Sequence, residues 1–312
     1  MIISASRRTD IPAFYSEWFI NRLKEGFVYI KNPRNPNRIA SVELSTDVVD
    51  CIVFWTKNPR PMLSKLDTIG AMGYPFYFQF TITSYDNHVE KGLPAKVEIM
   101  ETFKRLSDKI GKHRVVWRYD PVIVNKEFSV QVHLDTFGKM CNILGDYTNK
   151  CIFSFNDLYA KIRKSAKGVV DHEVDTLHMN CIAQGFSEIA KGYNLVLATC
   201  SEAIDHSPYN IANASCIDQT MIENIIGYPI RAKKDLNQRP DCGCIESVDI
   251  GAYDCCPHGC VYCYAMTSEN RVRQNMRLHD PGSPMLIGHP RGDEIITARG
   301  AHSLKIMQSS LF

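Results

Sequence analysis

Short apolar runs rich in β-branched and aromatic residues recur along the chain, with longer amphipathic stretches between them. The runs are Ile2–Ser6, Val49–Thr56, Phe76–Thr83, Arg114–Tyr119, Cys151–Phe155, Leu195–Cys200 and Ile245–Ile250. Their length and polar borders predict buried strands. The stretches between them carry helix signals: Ser16 before EWFINRLKEG, Pro94 before AKVEIMETFKRLSDKIGK, and helically spaced apolar positions from His172 to Lys191. Alternation of strand and helix is the rhythm of a parallel sheet. Seven candidate strands predict an α/β fold, a full or partial (β/α) TIM-like barrel.

Most of these strands end in a polar cluster: SRRTD, FWTKNP, QFTIT, WRYDP, SFND and ATCSE. Parallel α/β folds gather their sites at the C-terminal ends of strands, so the clusters should converge on one mouth. The candidates there are Ser6, Arg7, Arg8, Thr9, Asp10, Lys57, Arg118, Asp120, Asn156 and Asp157. For the arginines the plain alternative is solvated charge after a strand. No internal repeat is visible. The polar stretch 231–241 leads into a cysteine-rich segment, and after Ala265 the chain is polar and broken by Asp280, Pro281, Gly282 and Pro284. We expect a single domain over 1–312: barrel elements in 1–230, a cluster segment in 231–265, and a tail, 266–312, lying over the barrel.

With 312 residues, 45% of them apolar, the chain can bury a large core, and a net charge of +2 gives no global pull toward nucleic acid or membrane. The start MIISASRRTD lacks a secretory apolar stretch and no run is long enough to span a bilayer, so a cytoplasmic protein without a membrane partner is expected. Twelve cysteines in such a setting point to metal binding or reduced buried thiols, not to disulfides.

Three of them, Cys256, Cys260 and Cys263, stand in the run C-PHG-C-VY-C. Thiolates at this spacing fit three corners of a [4Fe–4S] cluster and leave the fourth iron open. Gly259 and Pro257 allow a tight wrap, and Tyr262 between the last two cysteines can cover the cluster. Zinc, the alternative, favours two separated cysteine pairs over one triplet. The C-x3-C-x2-C run with its aromatic residue resembles the signature of the radical S-adenosylmethionine superfamily. The chain is similar nearly throughout to an uncharacterised bacterial family with a C-terminal cysteine cluster, and YCYA at 262–265 with FWTK at 54–57 resembles the spore photoproduct lyase branch more distantly. In that superfamily the cysteine loop usually follows the first strand, whereas here it comes last. A permuted order accounts for this if Ile245–Ile250 lies beside Ile2–Ser6. The resemblance implies an enzyme that binds a [4Fe–4S] cluster and S-adenosylmethionine, takes an electron from a reductant such as flavodoxin or ferredoxin, and generates a 5′-deoxyadenosyl radical. It also implies that Ser6, Arg7, Arg8, Thr9 and Asp10 meet the amino-acid end of the cofactor, although the usual GGE run is absent. The substrate is unknown, with nucleic-acid repair or modification the first class to test. The competing function is an iron–sulfur or zinc redox or adaptor protein of DNA repair without radical chemistry.

A second set of thiols is formed by the C-G-C pair Cys242 and Cys244, by Cys200 at a strand end, and by Cys216, which opens an expected helix in SCIDQTMIENIIG. Together they suit a second [4Fe–4S] cluster, preferred over structural zinc because the neighbouring site already requires cluster assembly. The alternative for Cys200 and Cys216 is core packing. Cys255 is a spare thiol or a competing ligand. Cys51, Cys141, Cys151 and Cys181 are expected in the core, with Cys51 a hydrogen-atom donor only if it faces the pocket, and His258 should orient the cluster loop. The final residues, Gln308–Phe312, resemble the Q-x-x-L-F peptide that docks on the bacterial DNA sliding clamp; packing of LKIMQSSLF on the barrel is the alternative.

Overall fold

A strand buried on both faces needs apolar side chains at odd and even positions alike, and the runs identified above supply them. The computed structural model describes residues 1–158, 162–163 and 165–306. In chain order the elements are β1 (Ile2–Ala5), α1 (Ile11–Phe14), α2 (Ser16–Glu25), β2 (Phe27–Lys31), β3 (Arg38–Glu43), β4 (Cys51–Thr56), α3 (Leu66–Ala71), β5 (Phe76–Thr81), α4 (Lys96–Ile110) and β6 (Val115–Val122). They continue with α5 (Val130–Leu144), β7 (Lys150–Phe155), α6 (Thr176–Lys191), β8 (Val196–Thr199), β9 (Ala212–Asn213), α7 (Gln219–Ile226), β10 (Val248–Asp249), α8 (Glu269–Leu278) and β11 (Ile295–Ala298).

Eight strands form one parallel sheet in the order β10-β1-β4-β5-β6-β7-β8-β9. The penultimate strand of the chain lies beside the first, with Ile3 opposite Val248 and Ser4 opposite Asp249, as the permuted order requires. Among the described residues no pairing joins β10 to β9, so the fold is a mixed α/β structure with an eight-stranded parallel sheet, where a closed or partly closed barrel was expected.

Period-two alternation sends Ile3, Ile52, Phe54, Phe78, Trp117 and Phe153 to the helix side, where Trp117 stacks on Phe137 of α5 at 5.1 Å and Phe137 on Phe186 of α6 at 3.9 Å. The other face carries Ile2, Cys51, Val53, Tyr77, Val116 and Ile152. Further along the same strands that face turns polar, with Ser4, Gln79, Arg118 and Ser154 buried there. The change from apolar to polar along each strand fixes which end of the sheet can hold a site.

Some local expectations are corrected. Ser16 begins α2 instead of capping it; Tyr15 stands at the cap and makes no side-chain cap bond. The run from His172 becomes helical only at Thr176, where the Asp175 carboxylate accepts from His178 N at 3.0 Å. Cys216 does not open a helix: α7 starts at Gln219, capped by Asp218, which accepts from Met221 N at 3.1 Å. A separate sheet, β11-β3-β2, was not anticipated. β2 and β3 are half exposed and interrupted by polar residues, and β11 from the tail, exposed along its length, pairs with β3 by parallel bonds that sequence distance conceals. The tail also accepts from Trp18 Nε1 at Ser283 O, 2.9 Å, and buries Leu304. The terminal peptide Gln308–Phe312 lies outside the described residues. No helix among them is long and apolar enough to cross a membrane.

Candidate active site

At the polar end of the sheet lies a cavity of about 750 Å³. Its walls contain Ser6, Arg7, Arg8, Thr9, Asp10, Lys57, Arg118, Asp120, Asn156, Asp157 and Tyr262, together with Cys200, Cys216, Cys242, Cys244, Cys256, Cys260 and Cys263. Residues scattered over the whole sequence thus meet in one place because seven neighbouring strands, β10 to β8 in sheet order, deliver their C-terminal ends there.

The loop after β1 is held by Asp249 of β10. Its carboxylate accepts from Ser4 Oγ (3.0 Å), Ser6 Oγ (2.6 Å), Arg7 N (2.8 Å) and Gly251 N (3.0 Å). Gly251 is required by this closeness, since a Cβ there would collide with Ser6 Oγ and stand 2.6 Å from Ser6 Cβ. Arg7 and Arg118 stack on Trp55, at 5.1 and 5.3 Å from its ring centre. The Arg8 guanidinium lies 5.0 Å from the Tyr253 ring centre.

The cysteine loop is tied down from two sides. His258 Nε2 donates to Asp10 Oδ2 at 2.8 Å; the same carboxylate accepts from Lys57 N (2.7 Å) and, as the cap of α1, from Ala13 N (3.0 Å). The segment around Glu90 braces the other side: Val261 N donates to Val89 O (3.0 Å) and Gly92 N to His258 O (2.7 Å). Only glycine fits at 92, because a Cβ would stand 2.7 Å from Pro257 O. Glu90 was missed by sequence reasoning. It is 1% exposed and accepts from Lys57 Nζ (2.8 Å), Lys96 Nζ (2.5 Å), Thr83 Oγ1 (2.8 Å) and Tyr262 OH. Burial works to raise its pKa, but Lys57 and Lys96 outweigh it and bring it down to about 2. Tyr262 is thereby committed to this carboxylate, with Lys57 Nζ 5.5 Å from its ring centre.

The second set of thiols lies across the same cavity. Cys200 Sγ is 3.0 Å from Cys216 Sγ, and Arg118 Nη1 donates to Cys216 Sγ at 2.7 Å while its Nη2 reaches Asp120 Oδ2 at 2.5 Å. Burial works against the Arg118 charge; Cys216, Asp120 and Cys200 more than offset it. Asp157 pairs with Arg239. Cys255 does not line the cavity. It is buried in the helix-side core, its thiol donating to Ala252 O at 2.9 Å. Cys51, Cys141 and Cys151 are core residues as expected, and Cys51 is packed beneath the cavity and not within its lining. Cys181 is exposed on α6, against the expectation of core packing, because the buried stripe of that helix runs through Ile182, Ala183, Phe186 and Ala190.

Among the described residues no three His, Cys, Asp or Glu side chains are already closed around a metal-sized space. Cys256, Cys260 and Cys263 nevertheless line one wall and influence one another electrostatically, with Lys57 acting on the last two. Trp55 Nε1, Asn156 Oδ1 and His258 Nδ1, all on cavity-lining residues, are buried without a hydrogen-bond partner. A cavity lined by unpartnered donors and acceptors fits a polar ligand better than water-free closure.

No curated protein sequence matches the chain. A solved structure described as a candidate alpha-L-fucosidase from Bacteroides thetaiotaomicron VPI-5482 is similar at 11% identity, over 73% of this chain and 83% of that one, with a TM-score of 0.28. So low a score carries no argument about fold or chemistry. Over residues 2–265, from β1 through the cysteine loop, the chain matches the family described as a domain of unknown function, DUF1848, and it belongs to that family.

Proposed function

We propose that the protein is a radical S-adenosylmethionine enzyme. The observation that carries the reading is the meeting of the C-x3-C-x2-C loop with the SRRTD loop on one cavity, through β10 lying beside β1. Cys256, Cys260 and Cys263 would hold the cluster. A [4Fe–4S] cluster held there with an open iron would supply the electron for reductive cleavage of the S-adenosylmethionine sulfonium C–S bond, giving methionine and a 5′-deoxyadenosyl radical able to take a hydrogen atom from substrate.

The chain's own groups prepare that site. Asp10 and His258 fix the loop from within the protein, and Glu90 holds Lys57 beside Cys260 so that an ammonium offsets the charge of the thiolates. Arg8, with 28% of its side chain exposed, offers paired donors to a carboxylate. Trp55 Nε1 and Asn156 Oδ1 supply one donor and one acceptor for the nucleoside. A passive metal carrier has no need of such a pocket, which favours the enzyme over the adaptor reading. Nucleic acid is the first substrate class to test, on the strength of the FWTK and YCYA likeness, with a flavodoxin or ferredoxin as reductant.

The test is anaerobic reconstitution with iron and sulfide, reduction with dithionite, and mass-spectrometric assay for 5′-deoxyadenosine. It should form in the parent protein and vanish in the Cys256→Ala, Cys260→Ala, Cys263→Ala variant. A reconstituted parent that keeps its iron and forms none refutes the proposal.

A further inference from the structure

We propose that Cys200, Cys216, Cys242 and Cys244 hold a single zinc ion in a closed tetrathiolate site, separate from the three-cysteine loop and independent of its chemistry. The four thiols come from three remote stretches of chain, and each stretch is anchored before it delivers its sulfur. Cys200 N donates to Phe153 O at 3.1 Å. The carbonyl of Cys216 accepts from Tyr77 OH (2.8 Å) and Gln79 Nε2 (2.7 Å). The C-G-C turn is held by Asp235 N on Cys244 O (2.9 Å) and by Cys242 N on Arg239 O (3.0 Å).

Spacing decides which metal. Cys200 and Cys216 are 3.0 Å apart, Cys242 and Cys244 line the same cavity, and Cys244 Sγ lies 3.3 Å from the backbone nitrogen of Ile217, the residue after Cys216. Sulfurs at ~2.3 Å from a tetrahedral zinc stand about 3.8 Å from one another. Admitting one ion therefore means opening the 3.0 Å contact by less than roughly 1 Å. A cubane puts each thiolate on a different iron and needs its ligands farther apart. The sequence preference for a second iron–sulfur cluster is reversed on this ground.

Charge and outer contacts agree. Zinc with four thiolates carries two negative charges, and two guanidiniums offset them: the buried Arg118 on Cys216, and Arg7, whose charge acts on Cys244. Ile217 N donates to Cys244 Sγ at 3.3 Å, an N–H···S contact of the kind that orients a metal-bound thiolate. Four protein ligands leave no open position, so the ion pins the end of β8 to the segments before α7 and β10 and thereby fixes the wall opposite the cysteine loop.

The experiment uses the full chain expressed with zinc in the medium and dialysed against a chelator. Metal analysis should give one zinc per chain, and zinc-edge X-ray absorption should give four sulfurs at ~2.3 Å. A mercurial should release that zinc stoichiometrically from the unmutated protein, which keeps the test valid if cysteine variants misfold. The Cys256→Ala, Cys260→Ala, Cys263→Ala variant should keep the zinc, and Cys242→Ser, Cys244→Ser should lose it while retaining the iron of the other site. Nitrogen or oxygen ligands, iron at these four thiols after reconstitution, a Cys200–Cys216 disulfide in the anaerobically purified protein, or no bound zinc would each overturn the proposal.

Discussion

His258, in the middle of the cysteine loop, donates to Asp10, 248 positions earlier in the chain, at 2.8 Å and with both side chains buried. The Asp10 carboxylate also caps α1 and accepts from Lys57 N, so one side chain aligns the first loop, the end of β4 and the cysteine loop. Replacing it strips a helix cap and leaves buried donors unpartnered. Asp10→Ala should cost about 2–4 kcal/mol in urea unfolding. His258→Phe, which removes one contact, should cost about 1–3 kcal/mol. Both variants should also release reconstituted iron to a chelator faster than the parent. Unchanged iron release would mean that this bond serves stability alone.

Glu90 offers a sharper energetic test, because its carboxylate lies between two ammoniums in a site it shares with Tyr262. Glu90→Gln keeps the volume and removes the charge, leaving Lys57 and Lys96 facing each other. The expected loss is about 3 kcal/mol. Adding Lys96→Met should restore part of it, since the repulsion then disappears. A double-mutant cycle over Glu90 and Lys96 measures the coupling, and additivity within about 0.5 kcal/mol would exclude the assigned network.

The contrast between Asp10 and Glu90 shows what a sequence exposes. Asp10 stands directly after an apolar strand in SRRTD, where a polar cluster marks a strand end, and the cysteine triplet is legible from spacing alone. Because strand ends converge in a parallel sheet, both were placeable on one site without coordinates. Glu90 sits in a polar loop, and its four partners come from the segments just after β4 and β5, the start of α4 and the cysteine loop, so no local pattern announces it. Asp249 was hidden likewise within a strand only two residues long. The half-exposed strands β2 and β3 and the exposed β11 lack the continuous apolar runs that betrayed the main sheet, and the third strand comes from the distant tail. Closure of the sheet and the identity of a bound metal depend on distances, which composition does not encode.

A pH dependence follows from His133, which is fully buried in α5. Its Nε2 donates to Ile123 O (2.8 Å) and its Nδ1 lies 2.8 Å from Tyr119 OH, so the neutral ring has both nitrogens satisfied. Burial pushes its pKa below the ordinary 6.5. Below that pH the unfolded ring takes up a proton that the folded one refuses, so the contribution is full above about pH 6.5 and is lost as the pH falls, by at most ~1.4 kcal/mol per pH unit. Glu202, raised to about 7 by burial, acts in the opposite sense. The readout is therefore a difference: between pH 7 and about 5 the melting temperature of His133→Gln should fall less than that of the parent. Parallel curves would show that His133 does not control this range.

Arg7 and Arg8 are adjacent, yet the structure gives them different work. Arg7 stacks on Trp55, donates to Ser247 Oγ at 3.4 Å and stands 4.0 Å from Asp235, with 15% of its side chain exposed. Arg8 lies against Tyr253, 3.9 Å from Asp249, and is nearly twice as exposed on the cavity wall. A carboxylate entering the cavity can reach Arg8 without dismantling the wall, whereas Arg7 is engaged in holding it. Arg8→Ala should thus weaken binding of S-adenosylmethionine to the reconstituted protein about tenfold to a hundredfold, the loss of one charge-assisted contact, with the unfolding midpoint unchanged. Arg7→Ala should lower the unfolding midpoint and the zinc content, because it uncovers Trp55 and removes a positive charge beside Cys244. Calorimetric titration and urea unfolding on the same preparations separate the two effects. Equal affinity for Arg8→Ala and the parent would return Arg8 to the role of a surface charge and move the carboxylate contact elsewhere on the wall.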